Sequence, residues 1–102
     1  MNQTEEEIQH AIIMWLEWSG YLVYQFAPAR SHKRLGGIVP SGYPDFQVLT
    51  NSKILFFETK TNSGKVSPKQ QRVHSDMAKE GFMVHVVRCL EDVKAVLRDA
   101  GI

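Results

Sequence analysis

The sequence predicts an α/β domain, a mixed β-sheet flanked by helices in the order α-β-β-β-α-β-α. Three observations carry that prediction. Two segments open on helix-capping signals and close on glycine, Thr4 to Gly20 and Ser67 to Gly81. Two apolar runs, 45–50 and 53–60, meet at Asn51-Ser52 and read as a β-hairpin. Apolar runs before and after that pairing supply two further strands, and the chain closes on an amphipathic segment.

The first helix covers residues 4–19. Thr4 and Glu7 form the capping box, and Gly20 stands where a C-terminal glycine belongs. At about 100° per residue, Ile8, Ala11, Ile12, Trp15 and Leu16 share a face, with Glu5 projecting between Ile12 and Leu16. The apolar arc extends over Trp18 and Met14, while Ile13 lies beyond its other edge, so the helix carries more apolar surface than one packing face needs. Tyr21 to Phe26 is a strand whose aromatics read as core. Residues 27–43 form a long loop rich in Gly and Pro, a length that points to function or mobility in so small a domain. Ser67 caps the next helix, with Pro68 in its first position, and this helix runs to about Glu80. Phe82 to Arg88 is the fourth strand. Leu90 to Ala100 is the last helix, with Leu90, Val93, Val96 and Leu97 on one face.

With 102 residues and 43% apolar composition, the chain is one domain with one core, residues 1–102. It has no apolar run long enough for a membrane span, and its acidic start is unlike a signal peptide. A single cysteine, Cys89, excludes a disulfide framework and a cysteine-based zinc site and fits the reducing cytoplasm. The net charge of +1 conceals a strong asymmetry. Residues 1–27 carry four acids and no Lys or Arg, whereas residues 28–72 carry eight basic residues against only Asp45 and Glu58. A basic middle on a nearly neutral chain points to a local patch for polyanions, with solvated surface lysines as the bland alternative.

Those two acids are where the hairpin becomes specific. If Thr50 pairs with Lys53, Asp45 falls opposite Glu58, and Lys60 lies two residues beyond Glu58 on the same face. Two neighbouring carboxylates repel unless a positive charge sits between them. A hard divalent cation such as Mg²⁺ takes one or two carboxylates plus water and phosphate oxygens, and activates both water and phosphodiester. Lys60 would then hold the water, help deprotonate it, or stabilise charge developing on the phosphate. The alternative is a salt-bridged triad in which Asp45 and Glu58 simply neutralise Lys60.

Ser41-Gly42-Tyr43-Pro44-Asp45 followed by Phe56-Phe57-Glu58-Thr59-Lys60 resembles the Pro-Asp…Glu-x-Lys signature of the restriction-endonuclease-like nucleases. More closely, the chain resembles the virus-type replication-repair nuclease (VRR-NUC) domain. The likeness runs from Glu5-xx-Ile8-Gln9 through those motifs to Ser67-Pro68-Lys69-Gln70, His74, Gly81 and the segment from Val84 to Val93. It implies a restriction-endonuclease-like sheet and a Mg²⁺-dependent DNA endonuclease, with Mn²⁺ as substitute, selective for branched DNA and without organic cofactor. Asp45 and Glu58 match the metal-binding acids, the Thr59 backbone carbonyl a further ligand, and Lys60 the catalytic lysine. Glu5 matches the first-helix glutamate, a further metal-site candidate, and Gln70 the glutamine of the Ser-x-x-Gln helix start. Cys89 departs from the pattern where Ser is common, which concerns a helix cap and not the chemistry. The small viral and bacterial members of the family are associated with homodimers that resolve four-way junctions. The expectation is therefore a Holliday-junction resolvase in the cytoplasm of a bacterium or phage-infected host. A non-catalytic branched-DNA-binding module and an RNA-directed nuclease are the alternatives.

Around this set, Arg30, Lys33, Arg34, Lys65 and Lys69 read as DNA phosphate contacts. His74 lies four residues after Gln70, so both can face one side of their helix, and it reads as a partly buried, hydrogen-bonded histidine. His10, His32 and His85 have no partner at zinc-ligand spacing. For self-association, the Met14–Trp18 strip of the first helix is the first candidate surface, and the loop around Gly36-Gly37 the second.

Overall fold

Thr4 opens the first helix with both halves of a capping box. Its hydroxyl accepts the Glu7 N–H at 3.1 Å, and the Glu7 carboxylate accepts the Thr4 N–H at 2.9 Å. The computed structural model describes residues 3–26 and 41–102. Across them the order is α1 (Glu5–Trp18), β1 (Leu22–Gln25), β2 (Phe46–Thr50), β3 (Lys53–Thr59), α2 (Pro68–Lys79), β4 (Val84–Val87) and α3 (Leu90–Asp99). This is the predicted α-β-β-β-α-β-α succession. The sheet order is β1-β2-β3-β4, with β1/β2 and β2/β3 antiparallel and β3/β4 parallel. Helix α2 supplies the crossover that a parallel pair requires.

The hairpin register is the expected one: Thr50 pairs with Lys53 and Phe46 with Phe57. Asn51 and Ser52 make the turn with φ of 51° and 62°, the two left-handed residues that match the twist of a tight hairpin. Everything downstream depends on this register, because a slip by one would send Glu58 to the opposite face.

One sheet face is the core. Phe46, Val48, Leu55, Phe57 and Val87 bury themselves there against Ile8, Ile12, Ile13 and Leu16 of α1 and Val93 and Leu97 of α3. Phe46 and Phe57 are fully buried and stack with centroids 5.1 Å apart, each contributing about 2–3 kcal/mol through burial alone. Two details differ from the sequence reading of α1. Ile13 is buried and Ala11 is exposed. The packed arc is rotated toward Ile13 and Glu5 because α1 touches the sheet and α3 at once. On β1, Tyr24 is 52% exposed and is not a core residue, although Tyr21 packs on the core. An edge strand covered by a helix on one side leaves every second side chain in solvent.

Both later helices have the expected starts. Ser67 accepts the Gln70 N–H at 3.1 Å and Gln70 Oε1 accepts the Ser67 N–H at 2.9 Å, a second capping box. Cys89, at the N-cap of α3, makes no side-chain capping bond. Asp92 takes over part of that role, its Oδ2 accepting the Arg88 N–H at 2.9 Å. Among the described residues no helix is long and apolar enough to cross a membrane.

Candidate active site

The site grows from the turn that precedes β2. Gly42 adopts φ +92°, and the place of its missing side chain lies 3.0 Å from the Lys69 carbonyl oxygen and 3.1 Å from Val73 Cγ2. Only glycine lets the turn lie this close to α2. Tyr43 then packs edge-on against Phe26, with centroids 4.9 Å apart, and Pro44 is buried. Asp45 emerges at the mouth of the hairpin. Its N–H donates to the Phe57 carbonyl, and its Oδ2 accepts the Thr59 N–H at 2.8 Å. Asp45 is thereby tied by main chain and side chain to the strand that carries the other acid.

Glu58 and Thr59 close β3, Lys60 follows directly, and all three are buried, at 1%, 0% and 7% exposure. Burial comes first, and the neighbouring Asp45 carboxyl second, in pushing the Glu58 carboxyl up to about 8, while Lys60 opposes the rise. Gln70 Nε2 donates to Glu58 Oε2 at 3.1 Å. His74 Nε2 lies 3.5 Å from Glu58 Oε1. Burial, then the charge on Lys60, holds the His74 imidazole below its ordinary value. Lys60 Nζ sits 3.9 Å from Glu5 Oε2, with Glu5 half exposed on the first turn of α1. Beside them an open cleft of about 650 Å³ runs between Glu5, Gln9 and Ile13 of α1 and Gln25, Phe26 and Asp45.

The structure therefore brings Asp45, Glu58, Thr59, Lys60, Glu5 and Gln70 to one end of the hairpin. His74 joins them, partly buried as expected, though its Nε2 has no hydrogen-bond partner among the described residues. Lys65 and Lys69 are exposed on the approach to α2 and at its first turn. Arg30, Lys33 and Arg34 lie outside the described residues, as does the Gly36-Gly37 stretch.

Arg88 and Gly42 were not among the expected site residues. The Arg88 guanidinium, at the end of β4, donates to the carbonyls of Thr61 and of Gly64 (2.7 Å), fastening the loop that follows Lys60. The Lys60 N–H donates to the Val87 carbonyl at 3.0 Å, so β4 anchors both. A lone arginine between a strand and a helix carries no local signal of this role. Gly42 belongs to the Gly-x-Pro-Asp turn, but its contact with α2 depends on a crossover that local sequence does not reveal.

The described residues fit a hard divalent cation. Glu58 Oε1 is a buried carboxylate oxygen without a hydrogen-bond partner, and a second acid stands beside it. Two carboxylates are the protein share that Mg²⁺ takes when water and phosphate complete its shell. Among the described residues no group of three or more His, Cys, Asp or Glu comes together as a metal cage.

Among solved structures, the chain is similar to a VRR-NUC domain protein at 24% identity, over 96% of this chain and 88% of that one, with a TM-score of 0.73. It is also similar to a VRR-NUC domain at 27% identity, over 94% and 97% of the two chains, with a TM-score of 0.71. The chain folds as a VRR-NUC domain. No family model and no curated protein matches the sequence. The two VRR-NUC structures nonetheless agree in fold with the motif-level likeness over nearly the full chain.

Proposed function

We propose that this VRR-NUC domain is a metal-dependent, structure-specific DNA endonuclease that hydrolyses phosphodiesters in branched DNA and acts on four-way junctions as a homodimer. The observation that carries the reading is the setting of Glu58: buried, beside Asp45, within the field of Lys60, on a nuclease-family fold. A salt-bridged structural triad has no need to bury one acid next to another, where each raises the energy of the other's charge.

In this reading Asp45 and Glu58 hold Mg²⁺ or Mn²⁺, with the Thr59 carbonyl as a further ligand. Bound there, the ion supplies Lewis-acid polarisation of the phosphodiester and a water of lowered pKa. Lys60 stands beside the acids, where it orients the attacking water or offsets charge growing on the phosphate. Glu5, 3.9 Å from Lys60, restrains that side chain from the α1 side. Gln70 fixes the rotamer of Glu58 through its hydrogen bond. Lys65 and Lys69, exposed beside the site, take backbone phosphates. Arg30, Lys33 and Arg34 extend that path by their charge.

A junction needs two symmetric cuts and one domain offers one such site, so the active species is a dimer. Trp18 is 88% exposed and Met14 56% exposed, an apolar strip on α1 that supports a second copy as its cover. Light scattering at micromolar concentration on wild type and Trp18→Glu reads this directly, with a dimer and a monomer expected.

The test of the activity is cleavage of labelled duplex, flap and four-way DNA, and of RNA, in Mg²⁺, Mn²⁺ and EDTA. Cutting of four-way DNA, abolished by EDTA, is the expected result. Cutting of RNA alone would replace the substrate. Tight DNA binding without cutting in either metal would leave a binding module.

A further inference from the structure

Glu58 has two carboxylate oxygens, and α2 faces both of them. Oε2 accepts the Gln70 amide at 3.1 Å. Oε1 lies 3.5 Å from His74 Nε2, and both of these atoms are buried without another hydrogen-bond partner among the described residues. Two buried polar atoms 3.5 Å apart and without hydrogen-bond partners lose free energy unless they bond, by about 1–3 kcal/mol for each one left unsatisfied. The spacing of Gln70 and His74, one helical turn apart, puts both on the same side of α2.

A separation of 3.5 Å is longer than a good N–H···O bond of about 2.9 Å. Hydrogen bonds around catalytic groups are often long before the ligand arrives and tighten afterwards. Once Glu58 ligates a cation it is ionised and can only accept. A neutral imidazole facing Oε1 then serves it through its N–H, and an oxygen with two lone pairs can accept that bond and still ligate.

We propose that His74 is a positioning residue, donating from Nε2–H to Glu58 Oε1 so that Gln70 and His74 together orient the Glu58 carboxylate toward the metal. This rests on the metal-site reading of Asp45 and Glu58. It fixes the imidazole in the Nε2–H tautomer and makes α2 the element that aims one of the two acids. It also sets His74 outside the coordination shell, one bond behind the ligand.

The test uses Mn²⁺ alone, without DNA, titrated into the full chain and followed by electron paramagnetic resonance of the free ion. Wild type, His74→Phe, His74→Gln and Asp45→Asn are compared, with thermal melting beside each. The expected result is a Mn²⁺ affinity lowered roughly 10- to 100-fold in His74→Phe, the range for lost outer-shell partners. His74→Gln, whose amide can donate, should regain most of it, and Asp45→Asn should lose binding outright. Long-range ¹H–¹⁵N spectra of the Mg²⁺-saturated wild type should show the Nε2–H tautomer. Unchanged affinity in His74→Phe would reduce the residue to packing. A loss as complete as in Asp45→Asn, unrescued by Gln, would make it a direct ligand. A wild type that takes up no Mn²⁺ would remove the metal site and this role with it, whereas normal uptake by His74→Phe removes the role alone.

Discussion

Gln70 reaches across from the first turn of α2 and places its amide nitrogen 3.1 Å from Glu58 Oε2, at the end of β3. The same side chain closes the capping box of its own helix, its Oε1 accepting the Ser67 N–H. One amide therefore ends a helix and orients an acid. Gln70→Ala should lower cleavage by roughly 10- to 100-fold through that lost partner. Gln70→Glu should retain the cap but set a third carboxylate against Glu58 and lower cleavage at least as far. Single-turnover rates on four-way DNA, with melting curves to separate the cap from the site, check both.

Gly42 sets the seat of α2. A methyl group there would lie 3.0 Å from the Lys69 carbonyl oxygen, on a backbone with φ +92°. Gly42→Ala should destabilise the fold by roughly 1–3 kcal/mol. Because the displaced helix carries Gln70 and His74, cleavage at a temperature where the variant is fully folded should also fall. Denaturant melts and rates on the same preparation measure the two effects.

Lys60 is buried to 7% exposure between Glu5 and the acid pair. Lys60→Ala should slow turnover at least about a hundredfold, the scale for losing a preorganised charge or a proton-transfer group. Mn²⁺ affinity should change far less than in Asp45→Asn. Full activity in Lys60→Ala would make this lysine a structural ion-pair partner.

His85 gives the fold a pH dependence that is separate from the site. Its ring, on β4, stands 5.7 Å from that of Phe57 on β3, and burial lowers its pKa below the ordinary value. The folded state thus prefers neutral imidazole, while the unfolded chain takes up a proton near pH 6.5. Stability from this residue is fully present above about pH 6.5 and is lost as pH falls through the lower folded value. Thermal midpoints from pH 8 to pH 5 should drop less in His85→Gln than in wild type. Parallel curves would contradict the assignment.

Much of this was legible locally. The Thr4–Glu7 and Ser67–Gln70 boxes and the Asn51-Ser52 turn are short-range signals, and each forms as written. The hairpin register follows from that turn, and with it the meeting of Asp45 and Glu58. What local sequence left out is set by contacts distant along the chain. Ile13 replaces Ala11 in the core because α1 has two packing partners, and Tyr24 is exposed because β1 is an edge strand. Arg88 fastens residues more than twenty positions away, and Gly42 touches α2 across the whole hairpin. His74 is visible by its helical spacing from Gln70, but its approach to Glu58 Oε1 is set by how α2 packs against the end of β3.

The central claim is that Asp45 and Glu58 together hold the ion that cleavage requires. The most direct measurement is single-turnover cleavage of a labelled four-way junction in Mg²⁺ by wild type, Asp45→Asn and Glu58→Gln, with junction binding recorded for each in EDTA. Wild type should cut, and both variants should bind the junction at least as tightly while cutting at no detectable rate. Asp45→Asn removes a carboxylate facing phosphate, and Glu58→Gln removes an acid whose carboxyl burial already pushes up to about 8. Cutting by both variants at the wild-type rate would contradict the account.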